Sequence, residues 1–275
     1  YIPDRTEDGY GASKKLFKKL ILKKPKLIIM VDCGSTSNEA IDYLNDNNIK
    51  SIIIDHHEIN KPYPKSNVII NPKKELIKKE ESLLCATALT YFFIEILIKK
   101  TKSNFKISNF LIYVLLATIC DVMPLRKINK IIARTTFNRF NLKENIALNY
   151  IFEKYNLKKK ITVDDLGFLF GPIINSGGRL NNSNCAVELL STDDFNIIKD
   201  RSNKLINLNN KRKIIEQNIT DEIDFEKIKK NNKNVIIYYK KNLNEGLIGI
   251  IASRLKEYFN KPSIVITKSN NIFKG

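Results

Sequence analysis

The chain has 275 residues, enough for one large domain or two moderate ones with an ample core. Its formal net charge of +18 suits a polyanionic partner, although lysine is abundant throughout and much of this charge is typical of a solvated surface. Four scattered cysteines without a Cys-x-x-Cys pair argue against disulfides and zinc, and no apolar run reaches the roughly 18 residues of a membrane span, so we expect a cytoplasmic protein that does not contact membranes.

The first strong pattern is an apolar segment that ends in an acid. Residues 26–31 have the composition of a buried strand, and Asp32 follows them directly. Thr36 and Glu39 then have capping-box spacing, which predicts a helix through about Leu44.

A second strand pattern follows this helix and also ends in an acid. Residues 52–54 precede Asp55, His56 and His57, and the two histidines are the only ones in the chain. A strand-helix-strand unit of this length predicts a right-handed parallel crossover. Asp32 and Asp55 should therefore lie at the same edge of a parallel sheet, where an acid and imidazoles can bind a divalent metal.

A third acid follows an apolar helix. Residues 68–70 predict another strand, and residues 83–99 and 110–119 predict two apolar helices. Asp121 follows the second helix, where a carboxylate is unfavourable because the helix dipole is negative at that end. A bound metal would resolve the conflict; a plain turn residue is the alternative.

The last third of the chain predicts a long helix and a new α/β segment. Residues 193–230 are highly charged and lack glycine and proline, which favours a long helix. Residues 235–239 and 263–267 predict strands, with a helix to Phe259 between them. The glycines at 246 and 249 suit either an anion site at the start of that helix or plain helix-start positions.

Six segments in order resemble motifs of known nucleases. Those that resemble the DHH phosphoesterases are residues 31–34, 55–57 and 117–125. Those that are similar to the RecJ exonucleases are residues 1–11, 171–180 and 245–255. The resemblance covers nearly the whole chain.

The resemblance implies a single-strand-specific 5′→3′ DNA exonuclease of DNA repair and recombination that uses two Mn²⁺ or Mg²⁺ ions. By this resemblance, the catalytic residues would be Asp32, His56, His57 and Asp121. Asp32 would bridge both ions, with His56 and Asp121 as further metal ligands. His57 would face the scissile phosphate, and Asp55 would orient an imidazole. Because neighbouring strand residues point to opposite sides, we do not expect both imidazoles to bind one ion.

The resemblance also implies a substrate-binding set. Arg5 would bind the 5′ phosphate and Arg179 another phosphate, while Gly177 and Gly178 would let the backbone approach closely. Without the resemblance, Arg179 would be read as a solvated arginine after a glycine turn, and Arg5 as a surface arginine paired with Glu7 or Asp8. The implied partner is single-stranded DNA, with a single-strand-binding protein or a helicase as further partners.

The expected fold class is α/β. The resemblance implies a DHH domain with a parallel sheet (residues 1–192), a connecting helix (193–230) and a smaller DHH-associated substrate-binding domain (231–275). In the family an Asp-x-Asp motif precedes the first segment and a substrate loop follows the last one. We therefore expect this chain to be a piece of a longer enzyme and to have little turnover by itself.

Two other classes of function remain open at this point. One is a different DHH phosphoesterase, such as an oligoribonuclease or a family II pyrophosphatase. The segments at 1–11 and 171–180 favour the RecJ type over these. The other is a non-catalytic DHH scaffold, which would not need Asp32, His56, His57 and Asp121 together.

Overall fold

The computed structural model describes residues 1–3, 8, 11–74, 83–180, 184–230, 233–269 and 272–275. The chain forms two compact units, one of Tyr1 with Pro3–Gly171 and one of Ile2 with Pro172–Gly275. The division expected at residue 192 from the resemblance stays a prediction, because the compactness of the units does not test where a family domain ends.

The first unit contains a three-stranded parallel sheet in the order β1-β2-β3. Its elements are helix α1 (Lys14–Leu20), strand β1 (Leu27–Val31), helix α2 (Asn38–Asp46), strand β2 (Lys50–Ile54) and strand β3 (Val68–Ile70). Val31 pairs with Ile54, and Ile54 pairs with Ile70, so all three strands end at the same edge. The predicted parallel crossover is confirmed.

Helix α2 begins later than the capping-box pattern predicts, so that prediction is wrong. Its N-cap is Ser37 rather than Thr36, and the Ser37 side chain makes no capping hydrogen bond. Glu39 does not complete a capping box, since its carboxylate pairs with the Lys14 ammonium group on α1 at 3.3 Å. The helix continues to Asp46, two residues beyond the expected end.

Strand β1 is buried on one face only, which corrects the expectation of a fully buried strand. Met30 is buried, but Leu27, Ile29 and Val31 are 44–48% exposed. Side chains alternate along a strand, so these three share the face opposite Met30. Helices α1 and α2 form a core with Met30 and Ile53, and this core covers only the Met30 face.

Helices complete the first unit. They are α3 (Ala86–Thr101), α4 (Leu111–Cys120), α5 (Lys127–Arg139), α6 (Ile146–Lys154) and a π-helix (Asp165–Phe170). Helices α3 and α4 confirm the two predicted apolar helices, with bounds shifted by one to three residues. In the described part of the chain, none of the helices is long and apolar enough to cross a membrane.

The second unit is a smaller α/β body. Its helices are α7 (Gly171–Arg179, whose first residue belongs to the first unit), α8 (Asn184–Leu190), α9 (Phe195–Asp221), α10 (Phe225–Lys230) and α11 (Ile248–Phe259). Its strands are β4 (Ile236–Tyr239), β5 (Ser263–Ser269) and β6 (Ile272–Lys274). Strands β4 and β5 are parallel, and β6 is antiparallel to β5.

Helix α9 has 27 residues, so a long helix is present, but it ends at Asp221 and residues 225–230 form the separate helix α10 instead of continuing it as predicted. Ile219 from α9, Leu255 from α11 and Val265 from β5 lie in one buried core. The expected α/β fold class is confirmed, with a parallel sheet in the first unit and a mixed sheet in the second.

Candidate metal centre

The candidate site lies at the carboxyl edge of the first sheet. Asp32 and Asp55 directly follow β1 and β2, and their backbone N–H groups donate to the carbonyls of Ile54 (2.9 Å) and Ile70 (3.0 Å). The sheet therefore fixes the backbone position of both acids. Asp32 has a φ of 64°, in the left-handed region that Asp tolerates better than most residues.

Three side chains converge on one point beside this edge. Nε2 of His56 lies 3.3 Å from Oδ1 of Asp32 and 3.0 Å from Oδ2 of Asp121. Asp121 comes from the end of α4, where it is the C-cap residue. The His56 side chain is buried, whereas the two carboxylates remain 63% and 44% exposed.

This arrangement fits a divalent cation. Nε2 of His56 is a buried atom without a well-directed hydrogen bond, although two carboxylates lie close to it. The Asp32 contact raises the pKa of His56, burial opposes that rise, and the negative charge of Asp121 adds to it. A divalent ion would satisfy the imidazole nitrogen and both carboxylates at once.

Asp55 holds the second imidazole. Its Oδ1 lies 2.7 Å from Nδ1 of His57 and also accepts from the backbone N–H of His56 at 2.8 Å. Burial alone would raise the pKa of Asp55, but hydrogen bonds from Ser35 and His57 outweigh it and lower that pKa. Asp55 is thus a buried carboxylate that orients His57.

The expectation that the two imidazoles point to opposite sides is wrong. The ring centroids of His56 and His57 lie 4.7 Å apart with a tilt of 53°. Asp32, His56 and His57 each offer a ligand atom within 4.8 Å of the others. Strand alternation does not apply here, because β2 ends at Ile54, before either histidine.

Sequence analysis did not assign Ser35 and Asn71 to the site, but both form hydrogen bonds with residues of it. The backbone N–H of Ser35 donates to Oδ2 of Asp55 at 3.0 Å. The Asn71 amide donates to the Ser35 hydroxyl at 2.7 Å and to the His57 carbonyl at 3.0 Å. Asn71 directly follows β3 at the same sheet edge as Asp32 and Asp55, and this position was the signal that could have identified it.

The two cysteines next to the carboxylates remain thiols. Burial raises the pKa of Cys33 to about 11, and the negative charges of Asp55 and Asp32 add to the effect. Burial and Asp121 likewise raise the pKa of Cys120 to about 11. Both therefore act as packing residues rather than thiolate ligands.

The predicted substrate residues fall in different places. Arg179 ends α7 in the second unit, where its Nη1 donates to the carbonyl of Gly246 at 3.0 Å. Gly246 packs so closely that a Cβ there would lie 2.5 Å from the Arg179 carbonyl oxygen. Gly177 is buried, and Gly178 has open space where a Cβ would lie. Arg5 lies outside the described residues.

A family model and individual relatives indicate the same class of protein. Residues 1–119 match the DHH family, N-terminal domain. The single-stranded-DNA-specific exonuclease RecJ of Haemophilus influenzae is 28% identical over all of this chain and 50% of its own length. RecJ of Bacillus subtilis is 26% identical over all of this chain and 35% of its own length. The chain thus spans about half the length, or less, of these curated relatives.

Solved structures share the fold. A crystal structure of exonuclease RecJ bound to manganese superposes with a TM-score of 0.82 at 24% identity, covering 97% of this chain and 67% of that one. RecJ of Thermus thermophilus in complex with Mn²⁺ gives a TM-score of 0.79 at 23% identity, covering 90% and 37%. Over residues 1–119 the chain is therefore similar to the N-terminal domain of the DHH family. Over its whole length it is similar to RecJ exonucleases, and it shares the RecJ fold.

Proposed function

We propose that this chain supplies the metal-binding part of a single-stranded-DNA-specific 5′→3′ exonuclease that uses Mn²⁺ or Mg²⁺. The observation that carries the proposal is Nε2 of His56, buried without a well-directed hydrogen bond between the carboxylates of Asp32 and Asp121. The substrate class comes from the RecJ relatives, which are single-stranded-DNA-specific exonucleases. The choice of manganese is supported by two RecJ crystal structures that contain this ion.

Each residue of the site has its own role in this proposal. Asp32, His56 and Asp121 would hold the divalent metal. Two divalent ions would activate a water molecule and stabilise the leaving oxygen of the phosphodiester. His57, fixed through Nδ1 by Asp55, presents its other nitrogen to the scissile phosphate.

The same proposal extends to the substrate path and the cellular setting. Arg5 would bind the 5′ phosphate because a guanidinium contacts two phosphate oxygens at once, and Arg179 would contact a further phosphate. We propose a cytoplasmic enzyme of DNA repair and recombination that works with a single-strand-binding protein or a helicase. The pI of 9.6 supports a polyanionic substrate.

Metal binding is tested directly on this chain. Isothermal calorimetry should show that the wild type binds Mn²⁺ and that Asp32→Ala binds it much more weakly. Asp42→Ala is the matched control, because Asp42 is an exposed acid of the same unit on α2. Equal Mn²⁺ affinity in wild type and Asp32→Ala would remove Asp32 from the site.

Direction and substrate are tested on the longer enzyme that the resemblance predicts. Single strands labelled at one end should be shortened from the 5′ end in the presence of Mn²⁺, and duplexes should not. Arg5→Ala should slow hydrolysis of 5′-phosphorylated strands much more than that of 5′-hydroxyl strands. Shortening from the 3′ end would contradict the proposed function.

A further inference from the structure

An unusually exposed aromatic side chain lies on the π-helix of the first unit. Phe168 is 81% exposed, while Leu166 and Phe170 on the same π-helix are fully buried. The ring of Phe170 stacks on Phe152 with centroids 6.1 Å apart. The π-helix therefore has a core face that is well packed, and Phe168 lies on its solvent face. Single π-helical turns occur frequently at functional sites.

The π-helix lies against the end of helix α4 that carries Asp121. A Cβ on Gly167 would lie 3.2 Å from Cγ2 of Ile119, and a Cβ on Gly171 would lie 2.6 Å from Sγ of Cys120. A larger residue at position 171 would force Cys120 or the backbone to shift, and one at 167 would crowd Ile119. Ile119 and Cys120 directly precede Asp121, so the backbone that carries Phe168 is held beside the metal-binding carboxylate.

A second exposed apolar residue lies at the same end of α4. Val122 is 86% exposed and has a φ of 53°, which is strained for a β-branched residue. Backbone hydrogen bonds from Val122 to the Ile119 carbonyl (3.0 Å) and from Met123 to the Thr118 carbonyl (2.9 Å) hold this turn. Phe168 thus directly follows Gly167, whose backbone approaches the end of α4 that carries this exposed turn.

We propose that a nucleobase of the single-stranded DNA substrate stacks on Phe168 next to the metal centre. This inference rests on the proposed function. It adds a contact with the face of a base rather than with a phosphate. Stacking on aromatic side chains is sequence-tolerant because every base has a π-face. Such a contact suits an exonuclease that removes every nucleotide in turn. The +18 charge of the chain suits the phosphates of the same strand.

The chain contains no tryptophan, so a single introduced indole reports stacking directly. Phe168→Trp should lose fluorescence when a 5′-phosphorylated oligodeoxythymidine binds in the presence of Mg²⁺. Phe105→Trp is the matched control, because Phe105 is 54% exposed in the same unit but lies outside the π-helix. Quenching at Phe168→Trp alone supports the proposal, and equal quenching at both positions, or none at Phe168→Trp while the strand binds, overturns it.

A binding cycle separates stacking from a structural role. Phe168→Ala should bind the oligodeoxythymidine roughly 5- to 150-fold more weakly, the range measured for loss of one base–aromatic stack, whereas Phe168→Tyr should bind like wild type. An oligomer with the same number of phosphates but abasic throughout should bind wild type and Phe168→Ala equally. The same loss on the abasic strand would mean that Phe168 acts through the fold or the strand backbone.

The proposed function can fail separately from this inference. If wild type binds the strand but Phe168→Ala binds it equally well, stacking on Phe168 is wrong and the exonuclease proposal stands. If wild type does not bind single-stranded DNA, as judged by the anisotropy of a labelled strand, both proposals fall. Thermal unfolding of each variant checks that the exposed substitution leaves the fold intact.

Discussion

Two groups of charged side chains, one in each unit, show opposite electrostatic arrangements. In the second unit the buried carboxylate of Glu216 binds two arginines: Arg212 through Nη1 at 2.9 Å, and Arg254 through Nε. In the first unit two carboxylates, Asp32 and Asp121, share a single imidazole nitrogen. The Glu216 group has an excess of positive charge around one acid, and the His56 group has an excess of negative charge around one base.

The difference separates a structural network from a binding site. The Arg212 guanidinium also donates to the Asn209 side chain at 3.1 Å, so the Glu216 network is internally satisfied and joins α9 to α11. At the candidate metal centre two carboxylates share one imidazole nitrogen. If a cation from solution completes the site, as proposed, its residues should matter for binding and not for folding.

The largest expected effect is on metal affinity. Asp121→Asn should weaken Mn²⁺ binding by about 100-fold or more, because it removes a charged ligand rather than an outer partner. The unfolding free energy of the metal-free protein should change by less than about 0.5 kcal/mol, since the Asp121 side chain is 44% exposed and an exposed ion pair contributes little. Calorimetry and urea unfolding measure the two quantities. A strongly destabilised metal-free variant would make Asp121 structural, like Glu216.

The reverse result is expected for the arginine network. Glu216→Gln should lower the unfolding free energy by about 2–3 kcal/mol, because it leaves the mostly buried Arg212 guanidinium without its counter-charge. Its Mn²⁺ affinity should match that of wild type. Urea unfolding checks the first statement, with the exposed Glu226→Gln on α10 as the control. If Glu216→Gln is as stable as wild type, the Glu216 network is not needed for folding and the contrast between the two groups is wrong.

Asp55 should show an intermediate effect, because it belongs to the site but does not face the metal. In the proposed exonuclease, Asp55→Asn should reduce Mn²⁺-dependent hydrolysis about 10- to 100-fold, as expected when an outer hydrogen-bond partner is lost. The cause would be a misoriented His57 ring, so the double variant Asp55→Asn/His57→Ala should be little worse than His57→Ala. Additive losses would show that Asp55 acts by another route.

The smallest expected effect concerns Asp165, a compensated acid in the first unit. It binds the Lys159 ammonium group and the Thr162 hydroxyl, both at 2.8 Å, and these contacts lower its pKa despite the opposing effect of burial. A lowered pKa stabilises the fold above the ordinary value of 3.8, and this contribution is lost as the pH falls below it. Asp165→Asn should cost about 1 kcal/mol near neutral pH.

The pH dependence of that cost is the measurement. The difference in unfolding free energy between wild type and Asp165→Asn should shrink as the pH is lowered from about 6 to about 2.5. Glu226→Gln again serves as the control, because Glu226 is exposed. A difference that stays constant over this range would contradict the role assigned to the Asp165 charge.

Local patterns in the sequence determined much of the first unit. Apolar runs that end in Asp32 and Asp55, with a helix between them, implied parallel strands and acids at one edge, and both are observed. This works because period-2 and helical patterns and the handedness of crossovers are properties of short segments. The motifs that resemble DHH and RecJ proteins were also local, and they were sufficient to indicate the family.

Tertiary structure alone decided how these residues meet. The contact between His56 and Asp121 joins residues 65 positions apart, and no local pattern measures such a distance. The placement of both imidazoles on one side depended on where β2 ends, and the exposed face of β1 depended on which helices cover the sheet. The exposure of Phe168 came from packing of the π-helix on α4. Burial and convergence are sums over contacts from the whole chain, so they exist only once the chain has folded.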